Sequence, residues 1–187
     1  MAMSKKLYDK GSSNIIIAIV VVIIFIGIAI FATQGGSSSS NTETSTNSDS
    51  QRTSQVAPDF SLEKLSGGTI SLAEYRGRKG VVLDFFATWC PNCRRDMPKL
   101  NGFYEKYKDQ IEVIGIDLHE NESVVRKFIE KNNITFPIAI DSSGSVARSY
   151  GVRYTNFHVL IDKEGNAIKA IPGDISEQDI LLLINQY

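Results

Sequence analysis

The chain carries the segment VVLDFFATWCPNC at residues 81–93, and this segment decides the fold. Its first six residues form a largely apolar run, which predicts a short strand buried on both faces. The run leads directly into two cysteines in the spacing C-x-x-C, and the residues that follow them can form a helix. The segment therefore predicts a strand that delivers Cys90 to the N-terminus of a helix.

Cys90 and Cys93 are the only cysteines in the chain of 187 residues. At a helix N-terminus, partial positive charge lowers the pKa of a thiol and makes thiolate available. A structural disulfide and half of a zinc site are the alternatives. A two-residue spacer closes too small a loop to stabilise the chain much, and zinc would need two more ligands. The motif in this setting therefore indicates a redox-active dithiol.

The two thiols are expected to play different parts in disulfide exchange. Cys90, at the start of the predicted helix, is the candidate nucleophile, and Cys93, one turn further in, is the candidate resolving thiol. In such an exchange a thiolate attacks a disulfide, and the second thiol then resolves the mixed disulfide. Pro91 and Asn92 separate the cysteines and influence the redox potential. Trp89, the only tryptophan, is expected to shield one side of the disulfide, with an ordinary core aromatic as the alternative.

Asp84 is the third candidate catalytic residue. It lies among apolar neighbours in the predicted strand, so its carboxyl group is expected to be buried. Burial disfavours the charged form of a carboxyl group and brings its titration toward neutral pH. The alternative is that strand alternation turns Asp84 to solvent, and the apolar residues on both sides of it argue against that.

Further motifs surround the cysteine segment: Pro98 five residues after Cys93, APDF at residues 57–60, FP at 136–137, YGV at 150–152 and LIDKEG at 160–165. With these motifs, the chain from residue 57 to its C-terminus resembles thioredoxin-like proteins of the TlpA/ResA type. The resemblance implies a thioredoxin-like fold and thiol–disulfide exchange without a cofactor. It also implies that Asp84, six residues before Cys90, carries protons for Cys93. The APDF motif is shared with peroxiredoxins, but the threonine that they carry three residues before the cysteine is absent here.

The resemblance further implies partners for the dithiol. Clients would be protein thiols and disulfides, for example the haem-attachment cysteines of an apocytochrome, kept reduced in cytochrome c maturation. A membrane or extracytoplasmic redox partner would then exchange electrons with the dithiol. Nucleic acid is not expected as a partner, because 20 basic residues stand against 21 acidic ones and form no basic stripe.

The chain departs from the family just before a strand predicted for residues 157–161. Family members carry a cis-proline there, facing the cysteines, whereas this chain has Asn156 in that place and Tyr154 in place of a glycine. A cis bond before a non-proline residue costs about 2.5–4 kcal/mol, so we expect a trans bond between Thr155 and Asn156. The segment borders the expected client groove, whose candidate residues are Trp89, Pro91, Asn92, Thr155 and Asn156.

His158 lies two residues beyond Asn156, and strand alternation could turn both side chains toward the cysteines. Two sulfurs and an imidazole would suit a soft metal ion. The alternative function is therefore a module that binds copper or zinc, or holds clients, through Cys90, Cys93 and His158. We favour an ordinary histidine on a strand without a metal, and we expect His119 to be exposed.

The residues before this domain divide into three segments. Residues 1–14 form a stub in which Lys5, Lys6 and Lys10 face a single acid. Residues 15–33 contain an uncharged apolar run that would span about 27 Å as a helix, which predicts a transmembrane signal anchor with a cytoplasmic N-terminus. A cleaved signal peptide is the alternative. Residues 34–55, rich in Ser, Thr, Asn and Gly, predict a disordered linker.

Residues 56–187 predict one α/β domain with a central mixed sheet flanked by helices. The residues around Ser66-Gly67-Gly68 predict a short β-hairpin as an N-terminal extension. Beyond the cysteines, strands and helices alternate, and the chain ends in a hairpin and a helix capped by Ser176. With the anchor retained, the domain is expected outside the cytoplasm in a single-pass membrane protein.

Overall fold

The computed structural model of the chain describes residues 55–185. The predicted stub, the transmembrane anchor at residues 15–33 and nearly all of the predicted linker lie outside the described residues and stay predictions. Within residues 55–185, no helix has the length and apolar character needed to cross a membrane.

Eight strands, four α-helices and one 3₁₀ helix make up the described part of the chain. In chain order they are β1 (Gln55–Val56), β2 (Ser61–Glu63), β3 (Thr69–Ser71), the 3₁₀ helix (Leu72–Tyr75), β4 (Gly80–Phe86), α1 (Pro91–Tyr107), β5 (Ile111–Asp117), α2 (Glu122–Lys131), β6 (Ile138–Ile140), α3 (Ser145–Ser149), β7 (Phe157–Ile161), β8 (Asn166–Pro172) and α4 (Glu177–Ile184).

Six strands form one mixed sheet in the order β1-β8-β7-β4-β5-β6. Strands β4, β5 and β6 run parallel, whereas β7 is antiparallel to β4 and β8 is antiparallel to β7. Strands β2 and β3 form the separate antiparallel hairpin predicted from the sequence. The thioredoxin-like α/β class with a mixed central sheet is thereby confirmed.

The predicted boundary between linker and domain at residue 56 is one residue too late. Gln55, placed in the disordered linker by its polar neighbours, pairs with Ala167 as the first residue of β1. Composition alone missed this because an edge strand of two exposed residues buries no apolar side chain. Its order comes from backbone hydrogen bonding to β8 instead.

Strand β4 is central and all seven of its residues are buried. It pairs along its whole length with β5 on one side, and through residues 81–85 with β7 on the other. Side chains alternate between the two faces, so Val82 and Phe86 join the apolar cluster that contains Cys93, while Leu83 and Phe85 join the opposite cluster. Alternation places Asp84 on the same face as Val82 and Phe86, and it is buried as predicted.

Helix α1 begins directly after Cys90 because its first residues satisfy the requirements of a helix start. Cys90 is the N-cap, and Pro91 has a fixed φ and no N–H that would be left unpaired. The buried residues Cys93, Asp96, Met97 and Leu100 follow one another at intervals of three, one and three residues, which places them on one face of the helix. The helix continues through Pro98 to Tyr107.

The segment that joins α3 to β7 differs from the family pattern in its backbone. No cis peptide bond occurs within residues 55–185, so the bond before Asn156 is trans as predicted. Asn156 adopts φ 59°, in the left-handed region that asparagine tolerates better than most residues. Its N–H donates to the Phe85 carbonyl at 3.0 Å, and its carbonyl accepts from the Gly173 N–H at 2.8 Å.

Asn156→Pro is therefore expected to destabilise the protein by about 3 kcal/mol or more, because proline fixes φ near −65° and removes the N–H that bonds to Phe85. Asn156→Gly is the matched control. Glycine accepts the positive φ, so we expect a loss of only about 1 kcal/mol from the missing side chain. Urea unfolding of both variants measures the difference, and equal stability of the two would contradict the backbone argument.

Candidate active site

Cys90 occupies the N-cap of α1, where the loop from β4 ends. Its Sγ accepts a hydrogen bond from the Cys93 N–H at 3.3 Å. Burial alone would raise the pKa of Cys90. Hydrogen bonds from the Cys93 thiol, the Thr155 side chain and nearby backbone amides outweigh burial and lower that pKa. Cys90 is therefore the thiol that ionises first.

The environment of Cys93 shifts its pKa in the opposite direction, although Cys93 lies only one helical turn from Cys90. Both cysteines are free thiols, and Cys93 is almost fully buried beneath α1. Burial is the main cause that raises the pKa of Cys93 to about 12, and the hydrogen bond with Cys90 and the charge of Asp84 add to it. Cys93 consequently holds its proton until a nearby base removes it.

A buried acid–base cluster of Asp84, His158 and Asp96 lies on the α1 side of the sheet. Asp84 and His158 are directly opposite each other in the pairing of β4 with β7, so their side chains emerge on the same face. His158 Nε2 lies 3.3 Å from Asp84 Oδ1 and 3.3 Å from Asp96 Oδ2. Each of the three side chains is only 1% exposed.

Asp96 is a site residue that the sequence analysis missed. It lies one turn after Cys93 on the buried face of α1, and its Oδ2 accepts a hydrogen bond from the Ile175 N–H at 3.2 Å. Burial raises its pKa to about 6, against the opposing effects of His158 and the Ile175 N–H. The available signal was its spacing of three residues from Cys93, which places both on one helix face.

The exposed rim around Cys90 contains three of the predicted groove residues. Trp89 is 67% exposed, which excludes the alternative of a core aromatic. Pro91 and Asn92 are exposed in the first turn of α1, and the Asn92 side chain accepts a hydrogen bond from Arg95 Nη1 at 3.1 Å. Tyr154, which replaces the family glycine, is also largely exposed and packs edge-on against Phe157.

The other two predicted groove residues have different positions. Thr155 is half-buried beside Cys90, where its side chain lowers the pKa of that thiol. Asn156 is 3% exposed, so it supports the rim from below. Its Nδ2 donates to Asp174 Oδ1 at 3.1 Å, and Asp174 also forms a salt bridge with Arg95 at 2.8 Å.

A second carboxyl pair holds the loop that precedes Cys90. Glu120 accepts hydrogen bonds from the backbone N–H and the hydroxyl of Thr88, the latter at 2.7 Å. The Glu120 N–H in turn donates to Asp117 Oδ1 at 2.9 Å. Burial, with a smaller contribution from Glu120, raises the pKa of Asp117 to about 7. These residues fix the approach of the chain to the nucleophile from the end of β5.

The structure does not support the metal site considered for Cys90, Cys93 and His158. The imidazole Nε2 faces the carboxylates of Asp84 and Asp96. Within the described range 55–185, no group of three or more histidine, cysteine, aspartate or glutamate side chains could hold a metal ion. Alternation from Asn156 did place His158 on the cysteine side of the sheet, but its Nε2 faces the two carboxylates. His119 is exposed, as expected.

Comparison with known proteins identifies relatives that share this domain. The model of the AhpC/TSA family matches residues 53–170, which include both cysteines. The chain is 38% identical over 125 residues to the thiol-disulfide oxidoreductase ResA of Bacillus thuringiensis subsp. konkukian, covering 66% of this chain and 72% of that protein. It is 42% identical over 125 residues to ResA of Geobacillus thermodenitrificans, covering 66% and 71%.

Solved structures show the same fold. StoA from Bacillus subtilis superposes with a TM-score of 0.60 at 26% identity, over 68% of this chain and 97% of that chain. A thiol:disulfide interchange protein of the thioredoxin family from Chlorobium tepidum gives a TM-score of 0.63 at 25% identity, over 71% and 94%. The similarity therefore extends over almost the whole of these related domains.

The opposite pKa directions of the two thiols predict selective alkylation. At pH 7, iodoacetamide should modify Cys90 much faster than Cys93, because hydrogen bonds lower the pKa of Cys90 whereas burial raises the pKa of Cys93. Thr155→Val should raise the pKa of Cys90, since it removes one hydrogen bond to the sulfur. Thr155→Ser keeps the hydroxyl and serves as the control. Mass spectrometry after alkylation across a pH series gives both results, and preferential labelling of Cys93 would contradict the assignment.

Proposed function

The chain belongs to the ResA-like thiol–disulfide oxidoreductases of the AhpC/TSA family, and from this premise we propose that it is a membrane-tethered reductase of protein disulfides outside the cytoplasm. The observation that carries the proposal is the asymmetry of the dithiol. One thiol has a lowered pKa at a helix N-terminus, and the other has a pKa raised to about 12 beneath it.

The first step uses Cys90. Its thiolate attacks one sulfur of a client disulfide, forms a mixed disulfide and releases the other client sulfur as a thiolate. The exposed Trp89, next to Cys90 in the chain, and the exposed Tyr154, next to Thr155, offer apolar surface to a client. The backbone of Asn92 and the side chain of Thr155 hydrogen-bond to the Cys90 sulfur and lie where the client would dock.

The second step uses Cys93 and requires a base. Cys93 loses its proton and attacks the sulfur of Cys90, so that the Cys90–client bond breaks and the Cys90–Cys93 disulfide forms. The client sulfur leaves as a thiolate and takes a proton from water. Two electrons pass from the dithiol to the client disulfide, and an external dithiol must restore them.

Asp84 is the proposed acceptor of the Cys93 proton. Its charge is among the causes that raise the pKa of Cys93, which reflects the proximity of the two groups. Asp84 Oδ1 faces His158, whereas Oδ2 is buried and has no hydrogen-bond partner among the described residues. That oxygen is therefore available for a proton when Cys93 becomes a thiolate.

The cellular setting rests on the N-terminal sequence and on the family. The apolar run at residues 15–33, preceded by lysines, supports a single-pass anchor with the N-terminus in the cytoplasm. The polar segment 34–55 would tether the catalytic domain near the membrane surface. A membrane or extracytoplasmic partner would reduce the Cys90–Cys93 disulfide. The haem-attachment cysteines of an apocytochrome, kept reduced for cytochrome c maturation, are the proposed clients.

Replacement of the resolving thiol tests the assigned roles. Cys93→Ala should accumulate mixed disulfides on Cys90, because no second thiol remains to release the client. Cys90→Ala is the matched control and should accumulate far fewer, since the remaining thiol is buried and protonated. Non-reducing electrophoresis with a disulfide-bonded client such as insulin measures both. Equal accumulation by the two variants would overturn the assignment, and failure of the unchanged protein to reduce insulin would overturn the function.

Asp84→Asn tests the proton acceptor. The variant keeps the shape of the side chain but removes the basic oxygen, so resolution of the mixed disulfide should slow by roughly 100-fold near pH 7. The pH–rate profile of client release should also change, because the proposed acceptor of the Cys93 proton is gone. Formation of the mixed disulfide by Cys90 serves as the internal control and should change much less. An unaltered profile would leave Asp84 with a structural role only.

A further inference from the structure

His158 has a position that the exchange chemistry described above does not explain. It is buried on β7, and its Nε2 faces two carboxylates at equal distances of 3.3 Å. Asp84 reaches it from β4, and Asp96 reaches it from α1. An ordinary core histidine on a sheet would not require two buried acids around one nitrogen.

Charge explains the arrangement. Two carboxylates buried side by side without a cation would be costly, and one of them would keep a proton instead of ionising. An imidazolium between them compensates the negative charge. Burial lowers the pKa of His158, but the charges of Asp84 and Asp96, together with the Gly173 backbone, outweigh it and raise that pKa. The two carboxylates thus favour the imidazolium form of His158, which compensates their charge.

We infer that His158 is a positioning residue which, as an imidazolium shared by Asp84 and Asp96, keeps Asp84 ionised and oriented to accept the proton of Cys93. This inference rests on the proposed exchange function, and specifically on the resolving step. It assigns to His158 an action through Asp84 and no contact with the client or with either sulfur.

The charge of His158 determines how many protons the two acids hold before the resolving step. With the imidazolium present and both acids ionised, the cluster has a net charge of −1 and can take up one proton. When Cys93 transfers its proton to Asp84, the cluster becomes neutral while the new thiolate attacks Cys90. Without the cation, the two acids already share a retained proton, so Asp84 is often occupied before the resolving step begins.

Within residues 55–185, few titratable groups lie near His158, so few can affect how peptide release depends on pH. Asp84 lies on β4, Asp96 lies on α1, and the Gly173 backbone follows β8. Asp174 helps to raise the pKa of Asp96, and the hydrogen bond and salt bridge of Asp174 with Arg95 lower the pKa of Asp174. The predicted pH dependence therefore arises within the three-residue cluster.

The test uses His158→Gln in the full chain, solubilised in detergent. Glutamine keeps a polar side chain that can donate to one carboxylate, but it carries no positive charge. A peptide is linked to Cys90 as a mixed disulfide, and its release is measured from pH 5 to pH 9. We expect release at pH 7 to slow about 10-fold and the acidic limb of the profile to move to higher pH by about one unit, because the acids retain a proton longer.

A spectroscopic measurement accompanies the rate. His158 now lowers the pKa of Asp96, which lies at about 6. In His158→Gln, the carboxyl ¹³C signal of Asp96 should titrate at a higher pH than in the unchanged protein. His119→Gln is the matched control, since His119 is exposed and its Nδ1 lies 2.8 Å from the Ser142 carbonyl oxygen. It should alter neither the rate profile nor the Asp96 titration.

Asp96→Asn provides a second variant whose expected sign is opposite. Removing one acid leaves the imidazolium to Asp84 alone, so the acidic limb should move to lower pH. Circular dichroism checks the fold of each variant. If His158→Gln does not fold, the direction of the shift in Asp96→Asn decides whether the proposed role of His158 holds. A purely structural role would slow both variants without moving the limb in opposite directions.

The outcomes separate this inference from the function on which it rests. If the unchanged protein does not release the peptide through Cys93, the proposed exchange function fails. If it does release the peptide and His158→Gln shows an unshifted limb and an unshifted Asp96 titration, the function stands and the role of His158 is overturned. Opposite shifts in the two variants, with an unaltered His119→Gln, support the role.

Discussion

The double pairing of strand β4 is the constraint on which the rest of the site depends. Because β5 and β7 flank it on both sides, every residue of β4 is buried and its register is fixed. Its C-terminal end delivers Cys90 to the first turn of α1. The same register sets Asp84 opposite His158, and the carbonyl of Phe85 binds the N–H of Asn156. One strand thus positions Cys90, Asp84 and the backbone of Asn156.

Hydrogen bonding gives two chemically identical, buried thiols opposite pKa shifts. Cys90 and Cys93 are separated by one helical turn, but only Cys90 lies where helix N–H groups can bond to its sulfur. Cys93 faces the apolar cluster and a nearby acid, both of which favour its protonated form. The energetic cost of burying Asp84 and Asp96 close by is offset by the imidazole of His158 between them. A buried polar cluster of this kind is stable only when its members compensate one another.

Asn156 shows how a family position can change its residue without loss of the fold. A proline at this position would donate no hydrogen bond, whereas the N–H of Asn156 binds the end of β4. The positive φ of Asn156 and its contact with Asp174 shape the rim from beneath. Trp89 and Tyr154 then supply the exposed apolar surface at the level of Cys90. The rim therefore differs from the family pattern both in its support by Asn156 and in its surface at Tyr154.

Local sequence was sufficient to predict the fold class, the central strand, the two thiols and the burial of Asp84. Each of these depends on local information: an apolar run, a C-x-x-C spacing and an acid among apolar neighbours. It also indicated a trans bond before Asn156, since the intrinsic cost of a cis bond is known. The two-residue strand β1 was missed because its order depends on pairing with β8, about 110 residues later in the chain.

Only the tertiary structure decided the surroundings of His158. The sequence separates Asp84, Asp96 and His158 by 12 and 62 residues, and no periodicity relates a position on β7 to one on α1. Alternation could place His158 on the cysteine side, but it could not show whether sulfurs or carboxylates would meet the imidazole. That choice follows from the β4–β7 register and from the packing of α1 over it, because contacts between distant segments are set by how the elements pack and not by the local pattern of any one of them.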